Sequence, residues 1–240
     1  MADYPEITFN YFDLRGRGQF IRAMLEHHGV PFKDNRIVLA KDNSNWPEIR
    51  NKRLITGDFQ KIPFLHWGEF RLNETLVILE FLDKQLGPND LDETAWVQHR
   101  QVTSSAFLDL VVACINLIWS DIFHPGANVP ATTAILKRRI SMHLATFNQT
   151  LTEWQWLDGL QDRPVMASDA VLWEGLDMIR LTFDDHVSFE ELDVLAAFYD
   201  ESPGASTFKR LLAEKHLNIT GRPGEPDALA AIHGSLNGGV

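Results

Sequence analysis

The stretch Ile7-Thr8-Phe9-Asn10-Tyr11-Phe12-Asp13-Leu14-Arg15-Gly16-Arg17-Gly18 runs from a short apolar strand directly into a helix start. A tyrosine and two arginines stand at the junction. A phenol at a strand end, beside cationic side chains and the free N–H groups of a helix N-terminus, can bind a small anion and stabilise a thiolate or oxyanion. Taken alone, Tyr11 also fits the commoner role of a strand aromatic packed in a core.

Working outward, Phe20, Ile21, Met24 and Leu25 recur at helical spacing, and Gly29 is a plausible C-cap, which makes a βα unit. Arg36-Ile37-Val38-Leu39 reads as a second strand, and Asn45-Trp46-Pro47 opens a short irregular helix with proline in its first turn. Ile62 to Trp67, the turn Gly68-Glu69 and Phe70-Arg71-Leu72 form a hairpin, followed by a helix from Glu74 to Leu86. The order is βαβαββα. Gly87-Pro88-Asn89-Asp90 has linker chemistry, so the expected division is an α/β domain over 1–86, a linker over 87–92 and an all-helical domain over 93–240.

In that second domain, helices are expected over 93–123, 131–157, 168–183, 188–200 and 205–216. Ser188 with Glu191 reads as a capping box for the fourth of them. The last twenty residues, glycine- and proline-rich, read as a tail laid over the surface.

The chain has 240 residues with 45% hydrophobic content, enough for one large or two modest cores. No apolar run approaches the roughly 20 residues of a membrane span, and the first residues carry no signal-peptide pattern, so a cytoplasmic protein is expected. A single cysteine, Cys114, excludes an internal disulfide and cysteine-rich zinc sites. The Asn-x-Thr matches at Asn73, Asn148 and Asn218 are then chance. Net charge is −11, yet residues 1–86 hold 12 basic and 12 acidic side chains, so all the excess acid lies beyond them. That distribution argues against nucleic acid as a partner, since tracking phosphates needs clustered Lys and Arg.

Pro63 interrupts a run that otherwise reads as a strand, where proline removes a ladder hydrogen bond. Either it is an edge-strand proline, or Ile62-Pro63 is cis and turns the Ile62 backbone outward to pair with an extended peptide ligand. Asn73-Glu74-Thr75 precedes the next helix; its N–H groups and the Thr75 hydroxyl could take a carboxylate and Glu74 an ammonium, or the three could simply be a cap and a solvated glutamate.

Together, Tyr11-Phe12 with Arg15-Gly16-Arg17, Trp46 with Lys52, Lys61-Ile62-Pro63-Phe64, and Glu74-Thr75 before Ile78-Leu79 resemble the thioredoxin-like amino-terminal domain of the tyrosine-type cytosolic glutathione transferases, the pi, alpha and sigma classes above all. Asp109-Leu110 with Asn116-Leu117-Ile118-Trp119 resembles a pi-class segment of the helical domain. The resemblance implies a homodimer that uses glutathione as co-substrate; the lone cysteine and the lack of a long apolar run add the expectation of no metal and no membrane. Tyr11 would then bind the glutathione sulfur. Lowering a thiol pKa of about 8.5 by about two units, roughly 2.7 kcal/mol, makes thiolate the majority form at neutral pH.

By the same resemblance Arg17 lies near the sulfur or the γ-glutamyl end, Trp46 and Lys52 hold the glycine carboxylate, and Ile62 pairs with the cysteinyl backbone beside Lys61 and Pro63. Glu74 and Thr75 take the γ-glutamyl amine and carboxylate, and Asp109 reaches that group of the neighbouring subunit. Phe12, Leu14 and Trp119 line a pocket for small hydrophobic electrophiles. The expected function is glutathione transferase; the alternatives are a glutathione-dependent isomerase and a noncatalytic ligand-binding or structural protein. Three departures stand out. Lys61 replaces the family's glutamine, Thr75 replaces its usual serine and keeps the hydroxyl, and Met166 stands where a Ser or Thr normally caps the interior helix three residues before Asp169, so that helix is capped by Ser168 or begins elsewhere.

Other chemistries fit less well. Gly16-Arg17-Gly18 lacks the third glycine and the acidic residue of a dinucleotide fingerprint. His27 and His28 are adjacent, so a helix splays them about 100° apart. Cys114 is remote from Tyr11 in sequence, which disfavours a cysteine-type thiol reductase.

Overall fold

The computed structural model describes residues 4–40, 43–159, 162–215 and 225–237. Strand β1 (Ile7–Phe12) alternates toward the core, and amphipathic α1 (Gln19–His27) buries Phe20, Ile21, Met24 and Leu25 behind it. There follow β2 (Lys33–Ile37), α2 (Trp46–Arg50), α3 (Arg53–Thr56), β3 (Phe64–Trp67), β4 (Phe70–Asn73) and α4 (Thr75–Leu86). The sheet order is β2-β1-β3-β4, with β1 and β2 parallel and the other pairs antiparallel. This is the expected thioredoxin-like α/β domain, and a helical region follows it.

Strand β2 starts three residues before the run Arg36 to Leu39 that suggested it and ends inside that run, at Ile37. Its residues are mostly polar because Asp34 and Arg36 belong to a charge network with Arg22, while Val38 lies outside the strand and is exposed.

Helix α5 (Glu93–Ser105) passes through a π-helical segment, Ala106–Val111, into α6 (Val112–Phe123) without a break. By length and composition this 31-residue helix is long and apolar enough to cross a membrane, and half of its most apolar window is buried inside the protein. Its inward residues Val102, Ala106, Leu110 and Cys114 join one core with α8 (Ala167–Phe183), the most buried helix. Around α8 stand α7 (Pro130–Glu153), α9 (Asp193–Glu201), α10 (Ala205–Lys215) and α11 (Glu225–Asn237).

Two expectations for this region change. Helix α9 begins at Asp193, five residues after the expected start. Ser188 Oγ instead accepts from the Glu190 N–H in a local turn, while Asn148 Oδ1 of α7 accepts the N–H groups of Val194 and Leu195. The segment read as a surface tail contains α11, whose Ala228, Ile232 and Leu236 are buried against α6, α7 and α8; residues 216–224 and 238–240 lie outside the described residues.

The start of α8 resolves the missing cap. The Met166 N–H donates to Asp169 Oδ2 at 2.9 Å, and the Ala167 N–H donates to Oδ1 of Asp83, on α4, at 2.7 Å. Ser168 faces His99 Nδ1 at 2.7 Å instead of capping. His27 and His28, at the end of α1, likewise meet the helical region, through Thr207 and the Val165 carbonyl.

Candidate functional site

Strand register brings the amino-terminal candidates to one edge of the sheet. The last β1–β3 pair is Asn10 with Phe64, and the last β3–β4 pair is Phe64 with Asn73. Tyr11, Pro63 and Glu74 are the chain neighbours of these last paired residues. The Ile62-Pro63 bond is cis, the outward-turning alternative.

Tyr11 is buried, with the Arg17 N–H donating to its hydroxyl oxygen at 2.9 Å. The hydroxyl therefore accepts from the protein while its own proton stays free to donate. Burial pushes its pKa up; the Arg17 hydrogen bond, then the Arg17 and Arg22 charges, work in the opposite direction. The turn carrying Arg17 lies flat on the Tyr11 ring, and glycine is what permits it. Gly16 has φ +43°, and a Cβ there would stand 2.7 Å from the Tyr11 hydroxyl oxygen; one at Gly18 would overlap Tyr11 Cδ1.

Arg22, which sequence reasoning did not single out, supports the same place from below. It donates to the Phe12 and Leu14 carbonyls at 3.0 and 2.9 Å, pairs with Asp34, and lies over the Tyr11 ring at 5.7 Å. A lone arginine on an amphipathic helix gives no sequence signal for that role.

Phe12 is half-buried, its ring 5.5 Å from Tyr11 and 5.4 Å from Trp46, so these three aromatics and Arg17 share one neighbourhood. The Arg17 side chain is exposed. Lys61 and Glu74 form an exposed ion pair of 2.7 Å next to Ile62-Pro63. Glu74 takes φ +70° just before Thr75 opens α4, and no side chain caps that helix start. A non-glycine residue there is uncommon and strained, and such strain clusters at ligand sites. Asn73 is buried at the end of β4. It donates to the Thr56 and Lys61 carbonyls at 3.0 and 2.9 Å, tying the loop before the cis bond to the start of α4.

The remaining candidates lie apart or are otherwise engaged. Lys52 pairs with Glu48 at 2.7 Å on the surface. Leu14 is buried in the core, and Trp119 packs beside Phe123 at 5.2 Å in α6. Asp109 sits in the π-helical segment, 3.8 Å from His143 of α7, in a separate cleft of about 200 Å³ that Phe147 and Trp154 also line. Cys114 is fully buried and its thiol is pushed up to about 12 by that burial, which leaves it inert.

Residues 7–84 match the family model of the glutathione S-transferase N-terminal domain. That segment belongs to this family. The chain is similar to a glutathione S-transferase of Dermatophagoides pteronyssinus, 29% identical over 113 residues, which cover 44% of this chain and 51% of the relative. It is also similar to hematopoietic prostaglandin D synthase of Homo sapiens, 32% identical over 80 residues, or 33% and 36% of the two chains. The matched parts thus span about half of these relatives or less. Over nearly the whole length the transferase fold recurs in the pi-class glutathione S-transferase of Onchocerca volvulus, with a TM-score of 0.66, 19% identity, and coverage of 90% of this chain and 99% of that one.

Proposed function

We propose that this protein is a glutathione transferase in which Tyr11 donates its hydroxyl proton in a hydrogen bond to the glutathione sulfur and so favours the thiolate, which attacks a small hydrophobic electrophile. The observation carrying this reading is the Tyr11 hydroxyl, which accepts the Arg17 N–H and keeps its own proton free, at the sheet edge that also holds the cis bond and the open start of α4. The raised phenol pKa suits a donor that stays protonated at neutral pH. The exposed Arg17 charge adds positive potential at the sulfur.

Glutathione would lie along that edge. The outward backbone of Ile62, between Lys61 and Pro63, would pair with its cysteinyl unit, while the Thr75 N–H and hydroxyl would take the γ-glutamyl carboxylate and Glu74 the amine. Trp46 and Lys52 would hold the glycine carboxylate. The Lys61–Glu74 and Lys52–Glu48 pairs are both exposed, so exchanging a partner for ligand costs little. Phe12 and Trp119, with Leu14 behind them, would face the electrophile.

The same reading treats residues 1–86 as the glutathione-binding domain, 87–92 as linker and 93–240 as the helical domain of a cytoplasmic homodimer, with α5 and α6 as core helices. Exposed Val97, Leu108 and Met142 beside the Asp109 cleft support a second copy docking there, which would bring Asp109 toward its neighbour's ligand.

The test is the ultraviolet thiolate absorbance of bound glutathione in wild type and Tyr11→Phe. A thiolate band near neutral pH that Tyr11→Phe removes is expected; glutathione bound by wild type without such a band sinks the catalytic reading. Similarity to a prostaglandin D synthase over the same domain favours, as a second reading, a glutathione-dependent isomerase. Turnover without glutathione consumption, in a screen that pairs isomerase substrates with aromatic halides, enones and epoxides, would select it.

A further inference from the structure

The turn that carries the Arg17 N–H to Tyr11 is held from the far side of the molecule. Arg15, buried, projects from that turn into α8, where its Nε lies 2.9 Å from Glu174 Oε1 and its Nη2 lies 2.5 Å from Asp177 Oδ2. Glu174 and Asp177 are three residues apart and therefore share a helix face. The other oxygen of Asp177 accepts the Tyr199 O–H at 2.8 Å. Tyr199 is itself fixed. Its ring stacks on Trp173 with centroids 5.1 Å apart, Trp173 Nε1 donates to its backbone carbonyl at 2.9 Å, and the Arg180 guanidinium lies over the ring.

The charges explain why a tyrosine is needed. The Arg15 guanidinium faces two carboxylates, Glu174 buried and Asp177 partly buried, so neither has that cation to itself. A neutral hydroxyl donor satisfies Asp177 without adding charge. Burial, then the neighbouring Asp177, raises the Tyr199 pKa, which keeps it a donor. Burial also raises the pKa of Glu174, against the pull of Arg15.

At the other end, the Arg15 backbone carbonyl accepts the N–H groups of Gly18 and Gln19 at 3.2 and 3.0 Å, closing the turn that contains Arg17. A side chain anchored at two points thus fixes the carbonyl around which the turn is built.

We propose that Asp177 and Tyr199 are positioning residues for thiol activation: their hydrogen bond fixes Arg15, and Arg15 fixes the turn that holds the Arg17 N–H on the Tyr11 oxygen. This rests on the reading of Tyr11 as the thiol-activating group. Without the Tyr199 hydroxyl, Asp177 loses the donor that fixes it and swings toward solvent, and Arg15 loses one of its two anchors. The Arg17 hydrogen bond then lengthens, and Tyr11 becomes a weaker donor to sulfur.

The test compares Tyr199→Phe and Asp177→Asn with wild type in the full chain. Two readouts are taken: the thiolate absorbance of bound glutathione against pH, and the ¹³Cζ resonance of Tyr11 without ligand, easily assigned because the chain has three tyrosines. Thiolate below the titration midpoint should fall about three- to tenfold, with glutathione affinity nearly unchanged and the Tyr11 resonance displaced. A lowered Tm with unchanged thiolate titration and Tyr11 resonance would overturn the proposal, since a bridge that only glues the two regions together gives that result. If wild type binds glutathione without forming thiolate, the functional reading fails, and the Tyr11 resonance still decides whether the chain of contacts reaches that hydroxyl. Tyr199→Phe keeps the ring contacts and so decides the outcome should Asp177→Asn not fold.

Discussion

Helices α4 and α8 begin in opposite ways. At α4 no side chain caps the first turn, and the residue before it, Glu74, is exposed and held at positive φ. At α8 the start is buried, and carboxylates from two helices meet it: Asp169 accepts the Met166 N–H, Asp83 the Ala167 N–H, and Arg163 makes a two-point contact with Asp169. Helix starts carry N–H groups without partners, and burial removes water as a substitute. A buried start must therefore be capped from within, while an open one keeps its donors for a ligand. Helix α4 carries both halves of this contrast, with Thr75 at the open end and Asp83 under the buried one.

Removing the buried cap should have the largest effect. Asp169→Ala leaves the Met166 N–H without its acceptor and the Arg163 guanidinium without its carboxylate, and should cost about 3 to 5 kcal/mol in denaturant unfolding; a loss under 1 kcal/mol would mean that α8 does not depend on this cap.

Asp83 should give stability a pH dependence. Its pKa is pushed up to about 7, mainly by burial. A carboxyl whose folded pKa exceeds its unfolded value of about 3.9 binds a proton more tightly when folded, so its contribution to stability falls as pH rises from about 4 to 7. Asn at this position still offers an acceptor to Ala167. Asp83→Asn should flatten the stability profile across that window, gaining on wild type by up to about 3 kcal/mol at pH 7; parallel profiles would contradict this account.

At the open edge the effects should appear in chemistry and not in folding. Conjugation by Tyr11→Phe should drop about 100-fold, with glutathione affinity changed little, as steady-state kinetics and calorimetry can establish. Thr75→Ala should weaken glutathione binding about tenfold, the scale of a lost hydrogen bond to a carboxylate, while Tm stays nearly constant. The smallest effect is expected for Lys52→Ala: its solvent-exposed pair with Glu48 adds little to stability, so only the glutathione affinity should move.

The contrast also separates what could be read from the sequence. Tyr11, Ile62-Pro63 and Glu74-Thr75 were legible because each sits at a strand or helix end, where local chemistry marks the position. Trp46 was legible as part of a motif, and its meeting with Phe12 came only with the fold. Strand β2 was misplaced because its polar residues serve a charge network built with α1. The capping box at Ser188 was a sound local pattern outweighed by Asn148, more than forty residues away in sequence.

The sequence by itself determined the α/β order, the helical region and the set of chemical groups at the sheet edge, because hydrophobic period, turn residues and helix-end preferences act over a few positions. Only the tertiary structure decided which partner satisfies each buried polar group: Asp83 for α8, Asn148 for α9, Arg22 beneath Tyr11, and Asp177 with Tyr199 behind Arg15. Those pairings join residues far apart in the chain, and the cost of burying an unpaired charge or N–H selects them only once the helices have packed.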